Sequence, residues 1–212
     1  MQSKRMQHSS AIESIKRALE LSPRRVDFHF EMGRILRDAG KLNEAIEAWK
    51  MVNQLAPQRA DAYESLGLVY LEKMQVPEAI AAFQEALKAD ASIHRIYASL
   101  GDCYFAESRW DEAIALYMKA LKLAPSLKQL PYKIARAYSE KGSHAQAIDW
   151  YKKAAVEDSS NSMSWYYLGY AYKEKGRRKE AISAFSVYLR KKPEADERKM
   201  LEDEIYDLQH ER

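Results

Sequence analysis

Residues 162–195 read SMSWYYLGYAYKEKGRRKEAISAFSVYLRKKPEA. The pair Ala181-Ile182 inside this stretch is the last of six placed at one interval: Ala11-Ile12, Ala45-Ile46, Ala79-Ile80, Ala113-Ile114, Ala147-Ile148 and Ala181-Ile182 follow each other every 34 residues. A fixed period of that length marks an array of repeated supersecondary units. Four residues after each alanine comes a bulky side chain (Ile15, Trp49, Phe83, Tyr117, Tyr151, Phe185), and three further on come Ala18, Val52, Ala86, Ala120, Ala154 and Tyr188. The i, i+4, i+7 spacing is one face of a helix. Twelve residues before the last five pairs stand Gly33, Gly67, Gly101, Ala135 and Gly169, each preceded by Met, Leu or Ile, with Leu36, Tyr70, Tyr104, Tyr138 and Tyr172 three residues beyond. These belong to an earlier helix, and the small residue lets its partner approach closely. Each copy is therefore a helical hairpin. Gly40, Gly142 and Gly176 fall between the two helices, as suits the left-handed residue that ends a helix, with Met74 and Ser108 at the same place in the other copies. Pro23, Pro57, Pro125 and Pro193 stand just ahead of the next copy, stopping one helix and permitting another.

Composition agrees. The 212 residues carry a formal charge of +3, are 47% hydrophobic and 31% charged, and include 7 glycines and 6 prolines, a scarcity that favours helices over turn-rich β structure. The length suits one or two domains and excludes a large enzyme of several lobes. The longest run without Asp, Glu, Lys or Arg covers residues 159–172, shorter than the roughly 20 apolar residues of a membrane-spanning helix, so no membrane insertion is expected. The polar start, Met1 to His8, runs into no apolar signal region, which points to a cytoplasmic location. Cys103, the single cysteine, permits no internal disulfide and no cysteine-based zinc site.

Trp165, Leu168, Gly169, Tyr172, Ala181, Phe185 and Pro193 resemble the signature of the tetratricopeptide repeat, a helix-turn-helix unit of 34 residues. The resemblance covers about nine tenths of the chain: five full repeats at 26–59, 60–93, 94–127, 128–161 and 162–195, a half repeat at 9–25, a flexible amino terminus at 1–8 and a capping helix at 196–212. The fold class it implies is all-α, a right-handed α-solenoid of antiparallel helix hairpins. Departures are local. Ala91 and Ser159 replace the closing proline, Ala135 replaces glycine, and Pro131 takes the first aromatic place of the fourth repeat, where the first turn of a helix accepts it.

The ends invite separate readings. Ser10-x-x-Glu13 has the form of a capping box starting the half-repeat helix, whose outer side would expose part of Ile12, Ile15 and Leu19. That edge is either a solvated end helix or a docking edge for another chain. Leu201, Ile205 and Leu208 lie on one helical face, with Glu202, Asp203, Glu204, Asp207 and Glu211 mostly outside it, as a cap over the last apolar surface requires. Residues 1–25 hold six basic and two acidic side chains, whereas 196–212 hold three basic and seven acidic. The acidic end is either a solvated face or one partner in head-to-tail attraction between molecules.

In this family the first helices of successive repeats line a concave groove. With the fourth, seventh, eighth and eleventh places of each repeat buried, the second, fifth, ninth and twelfth point inward. Leu68, Leu71 and Phe105 then form an apolar centre, and Tyr132, Arg136, Tyr166, Tyr170 and Lys173, with Lys133 adjacent, add aromatic area and cations toward the carboxyl end. Aromatic and arginine anchors carry much of the energy of protein interfaces. The expected partner is a protein or peptide with apolar anchors and an acidic flank; the alternative for the tyrosines is packing against neighbouring hairpins. Some family members clamp the terminal carboxylate of chaperone tails with lysine and asparagine at set places. Phe30, Arg34, Ser65, Arg95 and Ser99 do not reproduce that set, so no such clamp is expected.

Chemistry-bearing motifs are missing: the sequence has no Walker loop, no G-x-S-x-G and no H-E-x-x-H. His8, His29, His94, His144 and His210 form no i, i+4 pair, and Cys103 takes a place held by Ile35, Val69, Ala137 and Ala171 elsewhere, that of a small core residue. Neither an enzyme, a cofactor nor a metal site is expected. The runs Arg177-Arg178-Lys179 and Arg190-Lys191-Lys192 are interspersed with acids and read as solvated helix ends, with no nucleic-acid partner. The resulting reading is a non-enzymatic adaptor or scaffold. The alternatives are self-assembly through the half repeat, giving a homo-oligomer, and an interaction module of a larger complex whose chemistry lies elsewhere.

Overall fold

A computed structural model describes residues 2–210, with side chains from residue 8 onward. Among these residues it contains helices and no strands. The helices are α1 (Gln2–Leu21), α2 (Val26–Asp38), α3 (Leu42–Leu55), α4 (Ala60–Glu72), α5 (Val76–Ala89), α6 (His94–Ala106), α7 (Trp110–Leu123), α8 (Leu130–Glu140), α9 (His144–Glu157), α10 (Met163–Glu174), α11 (Arg178–Lys191) and α12 (Arg198–His210). The expected all-α class of consecutive helix hairpins is what the chain adopts. It divides into two compact units, residues 1–103 and 104–212.

In the amino-terminal unit α2 packs on α3 and α4 on α5, with α1 against α2 and α3 against α4. Its core holds Leu36, Ile46, Trp49, Val52, Leu66 and Val69, each at most 5% exposed. In the carboxyl-terminal unit α8 pairs with α9 and α10 with α11, and α12 lies against α11. There Tyr151, Leu168, Phe185, Tyr188, Leu201 and Leu208 are buried together.

The small eighth residue of each repeat works as the spacing predicts. A Cβ built on Gly67 would stand 2.5 Å from the Phe83 ring, a distance no pair of carbons tolerates, so only glycine lets α4 and α5 meet with phenylalanine between them. The hairpin turns share one design. At Gly40 the backbone N–H bonds to the carbonyl three residues back, and that of Lys41 to the carbonyl five back; the same pair recurs at Met74, Ser108, Gly142 and Gly176. This is the Schellman closure, which needs a left-handed residue. All five supply it, including the non-glycines Met74 (φ 59°) and Ser108 (φ 58°).

The ends differ from expectation in detail. Helix α1 begins at Gln2, so residues 2–8, assigned to a separate tail, are helical in backbone, and the capping box has no helix start to cap. The Ser10 carbonyl instead accepts the Ser14 hydroxyl at 2.9 Å, and Glu13 pairs with Arg17 at 2.6 Å. Met1 and the side chains of residues 1–7 lie outside the described residues. Ile12 is 9% exposed, and Ile15 and Leu19 are half-buried against the same core, leaving Leu21 as the exposed apolar residue. At the other end Leu201 and Leu208 are buried and Ile205 half-buried, so α12 covers the last repeat. Glu202, Asp203 and Asp207 are exposed; Glu211 lies outside the described residues.

Candidate functional site

The residues expected to line the groove are half-buried, every one. Leu68 and Leu71 stand on α4 in the amino-terminal unit, and Phe105, Tyr132, Lys133, Arg136, Tyr166, Tyr170 and Lys173 belong to the carboxyl-terminal unit.

In the carboxyl-terminal unit the tyrosines form a connected aromatic surface. Tyr132 on α8 lies 6.1 Å from Tyr151 and 6.0 Å from Tyr167 between ring centroids, and those two rings stack at 6.0 Å with an interplanar angle of 11°. Tyr166 meets Tyr167 at 5.1 Å, Tyr170 at 5.0 Å and Tyr188 at 5.2 Å, and Tyr170 meets Phe185 at 5.0 Å. Edge-on and offset contacts of this kind are favoured by the ring quadrupoles. One side of Tyr132, Tyr166 and Tyr170 therefore packs against the hairpins, as the alternative reading holds, while part of each ring stays open. Burial pushes the Tyr132 phenol up to about 12, Tyr167 adds to the effect, and Arg136 opposes it. Burial likewise raises Tyr166 and Tyr151.

Arg136, one helical turn after Tyr132, is set into this surface. Its guanidinium lies 5.0 Å from the Phe105 ring and 5.4 Å from the Tyr167 ring, and Phe105 is braced by Trp110 at 4.9 Å. Its carboxylate neighbour Glu140 is 3.5 Å away, longer than a charge-assisted hydrogen bond, and its Nε is buried without an acceptor. The other cations are placed differently. Lys133 reaches over Tyr117 at 5.8 Å, and Lys173 pairs with Glu204 of α12 at 2.6 Å.

Three arginines of the amino-terminal unit are committed to carboxylates. Arg34 pairs with Glu31 at 2.5 Å, Arg59 with Asp27 at 2.9 Å and Asp61 at 2.7 Å while lying over Phe30 at 4.6 Å, and Arg95 pairs with Glu64.

Three participants escape sequence reasoning. Tyr167 takes the sixth place of its repeat, where the earlier repeats carry Glu31, Ser65, Ser99 and Lys133, and an aromatic residue at that normally polar place was the available signal. Trp110, the first residue of α7, and Glu204 give no local signal.

Two sequence profiles decide the family. That of the tetratricopeptide repeat matches residues 65–127 and 132–196, well over half the chain, and a second, described as a TPR repeat, matches residues 33–73. The chain belongs to the tetratricopeptide repeat family. Among solved structures the chain superposes on YrrB, described as a TPR protein with an unusual peptide-binding site, with TM-score 0.80 and 19% identity over 92% of this chain and 99% of that one. It is also similar to MamA (TM-score 0.76, 25% identity, 82% of this chain and 94% of that one) and to pilF of Pseudomonas aeruginosa (0.68, 16%, 86% of each). No curated protein matches the sequence. Tetratricopeptide repeats are protein-interaction modules, so interaction with other proteins is the general role of this chain. Among the described residues no helix is long and apolar enough to cross a membrane, and no three His, Cys, Asp or Glu side chains group to hold a metal ion.

Proposed function

We propose that this tetratricopeptide repeat protein is a cytosolic, non-catalytic adaptor that holds a partner peptide on the surface presented by α8 and α10. The observation that carries the reading is Arg136: a cation flanked by two aromatic rings, its side chain 35% exposed and its contact to Glu140 long at 3.5 Å. An arginine held in this way keeps hydrogen-bonding capacity for an incoming carboxylate, and its planar fork suits that anion. Tyr132, Tyr166 and Tyr170, half-buried and mutually braced, offer rigid aromatic area beside it. A peptide with an acidic residue at Arg136 and apolar anchors on the tyrosines fits this surface. Lys173 contributes less than its position implies, since Glu204 already neutralises it. The description of YrrB as a peptide-binding protein is consistent with the reading.

The test is a peptide selected from a random displayed library against the wild-type chain. Arg136→Ala and Tyr166→Ala are each expected to weaken it about tenfold or more, the loss typical of an interface anchor, with helicity unchanged. Unaltered affinity in the Arg136→Ala protein with full helicity overturns the assignment.

A further inference from the structure

Helices α3, α4 and α5 enclose an open cleft of about 430 Å³ within the amino-terminal unit. Its floor is apolar, built from Tyr63, Leu66 and Tyr70 of α4 and Ala82 of α5. The cleft owes its existence to small residues. Ala81-Ala82 occupies the place that Ala115-Leu116 and Asp149-Trp150 occupy in the third and fourth repeats, where Leu116 and Trp150 are half-buried bulky side chains. In the fifth repeat the same place returns to Ser183-Ala184, and there a second cleft opens, about 210 Å³, over Trp165, Leu168 and Tyr172. The two openings stand at equivalent positions of the second and fifth repeats, where the side chains are shorter than Leu116 and Trp150; the first repeat, with Glu47-Ala48, shares the short residue.

The polar wall of the larger cleft is rich in acceptors. Glu78 and Glu85 face it together with Lys50; Lys50 is held by Glu47 at 2.9 Å and Glu85 by Lys88 at 2.6 Å, which leaves Glu78 as the carboxylate for a guest. Glu78 receives the Gln75 amide at 3.2 Å and carries no ion pair among those the structure shows. The side-chain oxygen of Asn53, on the cleft wall, and that of Gln75, in the adjoining depression, are buried with no donor. Apolar floor, aromatic rings and an excess of acceptors together select a cation on an apolar stem.

We propose that this cleft receives an arginine side chain of a partner protein, its methylene stem on Leu66 and Tyr63 and its guanidinium between the Tyr70 ring and the Glu78 carboxylate. Arginine fits better than lysine, because the guanidinium is planar, weakly hydrated and stacks on aromatic faces, whereas an ammonium loses more hydration on entering. The partner contact is separate from the Arg136 surface, which lies in the other unit and attracts the opposite charge.

The probe is N-acetyl-arginine methylamide, titrated into the full-length isotope-labelled protein and followed by amide NMR shifts, with N-acetyl-norleucine methylamide as the neutral counterpart. The arginine probe is expected to shift resonances of α3, α4 and α5 in a saturable way and to bind about tenfold more tightly than the neutral one, the margin expected of a charge-assisted contact. Glu78→Gln should remove most of that margin. Ala82→Leu, which borrows the third repeat's residue, should abolish the shifts, and helicity by circular dichroism reports whether that variant folds. Equal binding of the two probes, shifts scattered over the surface, or a Glu78→Gln protein that titrates like wild type overturns the proposal. The Arg136→Ala protein should titrate unchanged, so failure here and failure of the peptide site are read apart.

Discussion

Ser164 stands at the third place of the fifth repeat, where the second, third and fourth repeats carry Ala62, Ile96 and Leu130, all fully buried. It is equally buried, and its hydroxyl has no hydrogen-bond partner. An enclosed hydroxyl that has given up water without replacement costs about 1–3 kcal/mol. Ser164→Ala is expected to stabilise the protein by about 1 kcal/mol, part of that cost being recovered when the polar atom is removed and a small void remains. Urea unfolding followed by circular dichroism measures it, and a lower midpoint in the variant would show that the hydroxyl serves the native state. The same scale explains what sequence reading does well and badly. Gly67 announces itself, because a missing side chain at a fixed interval has one packing explanation. The third place goes unnoticed, since alanine, isoleucine, leucine and serine share no chemical label, only burial.

At the level of helices, α8 and α10 gain their character from how tyrosines interleave. Tyr132, Tyr151, Tyr166 and Tyr188 all have phenols moved upward by burial, Tyr132 to about 12. An unfolded tyrosine ionises near 10, so between the two values the unfolded chain releases protons that the folded chain retains. The stabilisation tied to these groups is whole below about pH 10 and is lost as pH rises toward 12. Alkaline titration should therefore show a late fraction of phenolate appearing together with loss of helicity, and Tyr132→Phe should move that onset upward; full phenolate absorbance while the helices persist would contradict the burial. Periodicity names the helices and their facing sides, because a 34-residue register constrains every position at once. The ring-to-ring contacts depend on side-chain direction, which spacing leaves open, and so Tyr167 was missed although its neighbour Tyr166 was not. Lys173 shows the other failure. Its carboxylate partner Glu204 comes from α12, a full helix away in sequence, and no local pattern links the two.

For the molecule as a whole, the charge of its ends is unequal. The first 25 residues carry six basic against two acidic side chains and the last 17 three against seven. The apolar residues of α1 other than Leu21 are largely used against the hairpin core, and Glu202, Asp203 and Asp207 of α12 face water, so any head-to-tail attraction between copies is expected to be electrostatic. Such attraction reaches about 30 Å at 0.01 M salt and about 8 Å at 0.15 M. Light scattering is expected to detect weak association at the lower ionic strength and none at the higher. A dimer indifferent to salt would point instead to the apolar edge of α1, and removal of residues 1–25 would then dissolve it.

The left-handed turn residues at positions 40, 74, 108, 142 and 176 recur at the period of the array itself, and at Gly40, Gly142 and Gly176 no atom from beyond the adjoining residues stands within 4 Å of where a side chain would begin. Joints so regular and so unencumbered are natural seams for genetic recombination. A crossover at any of them adds or removes one block while every other block keeps its reading frame, which makes the number of modules far easier for evolution to alter than the inside of any one.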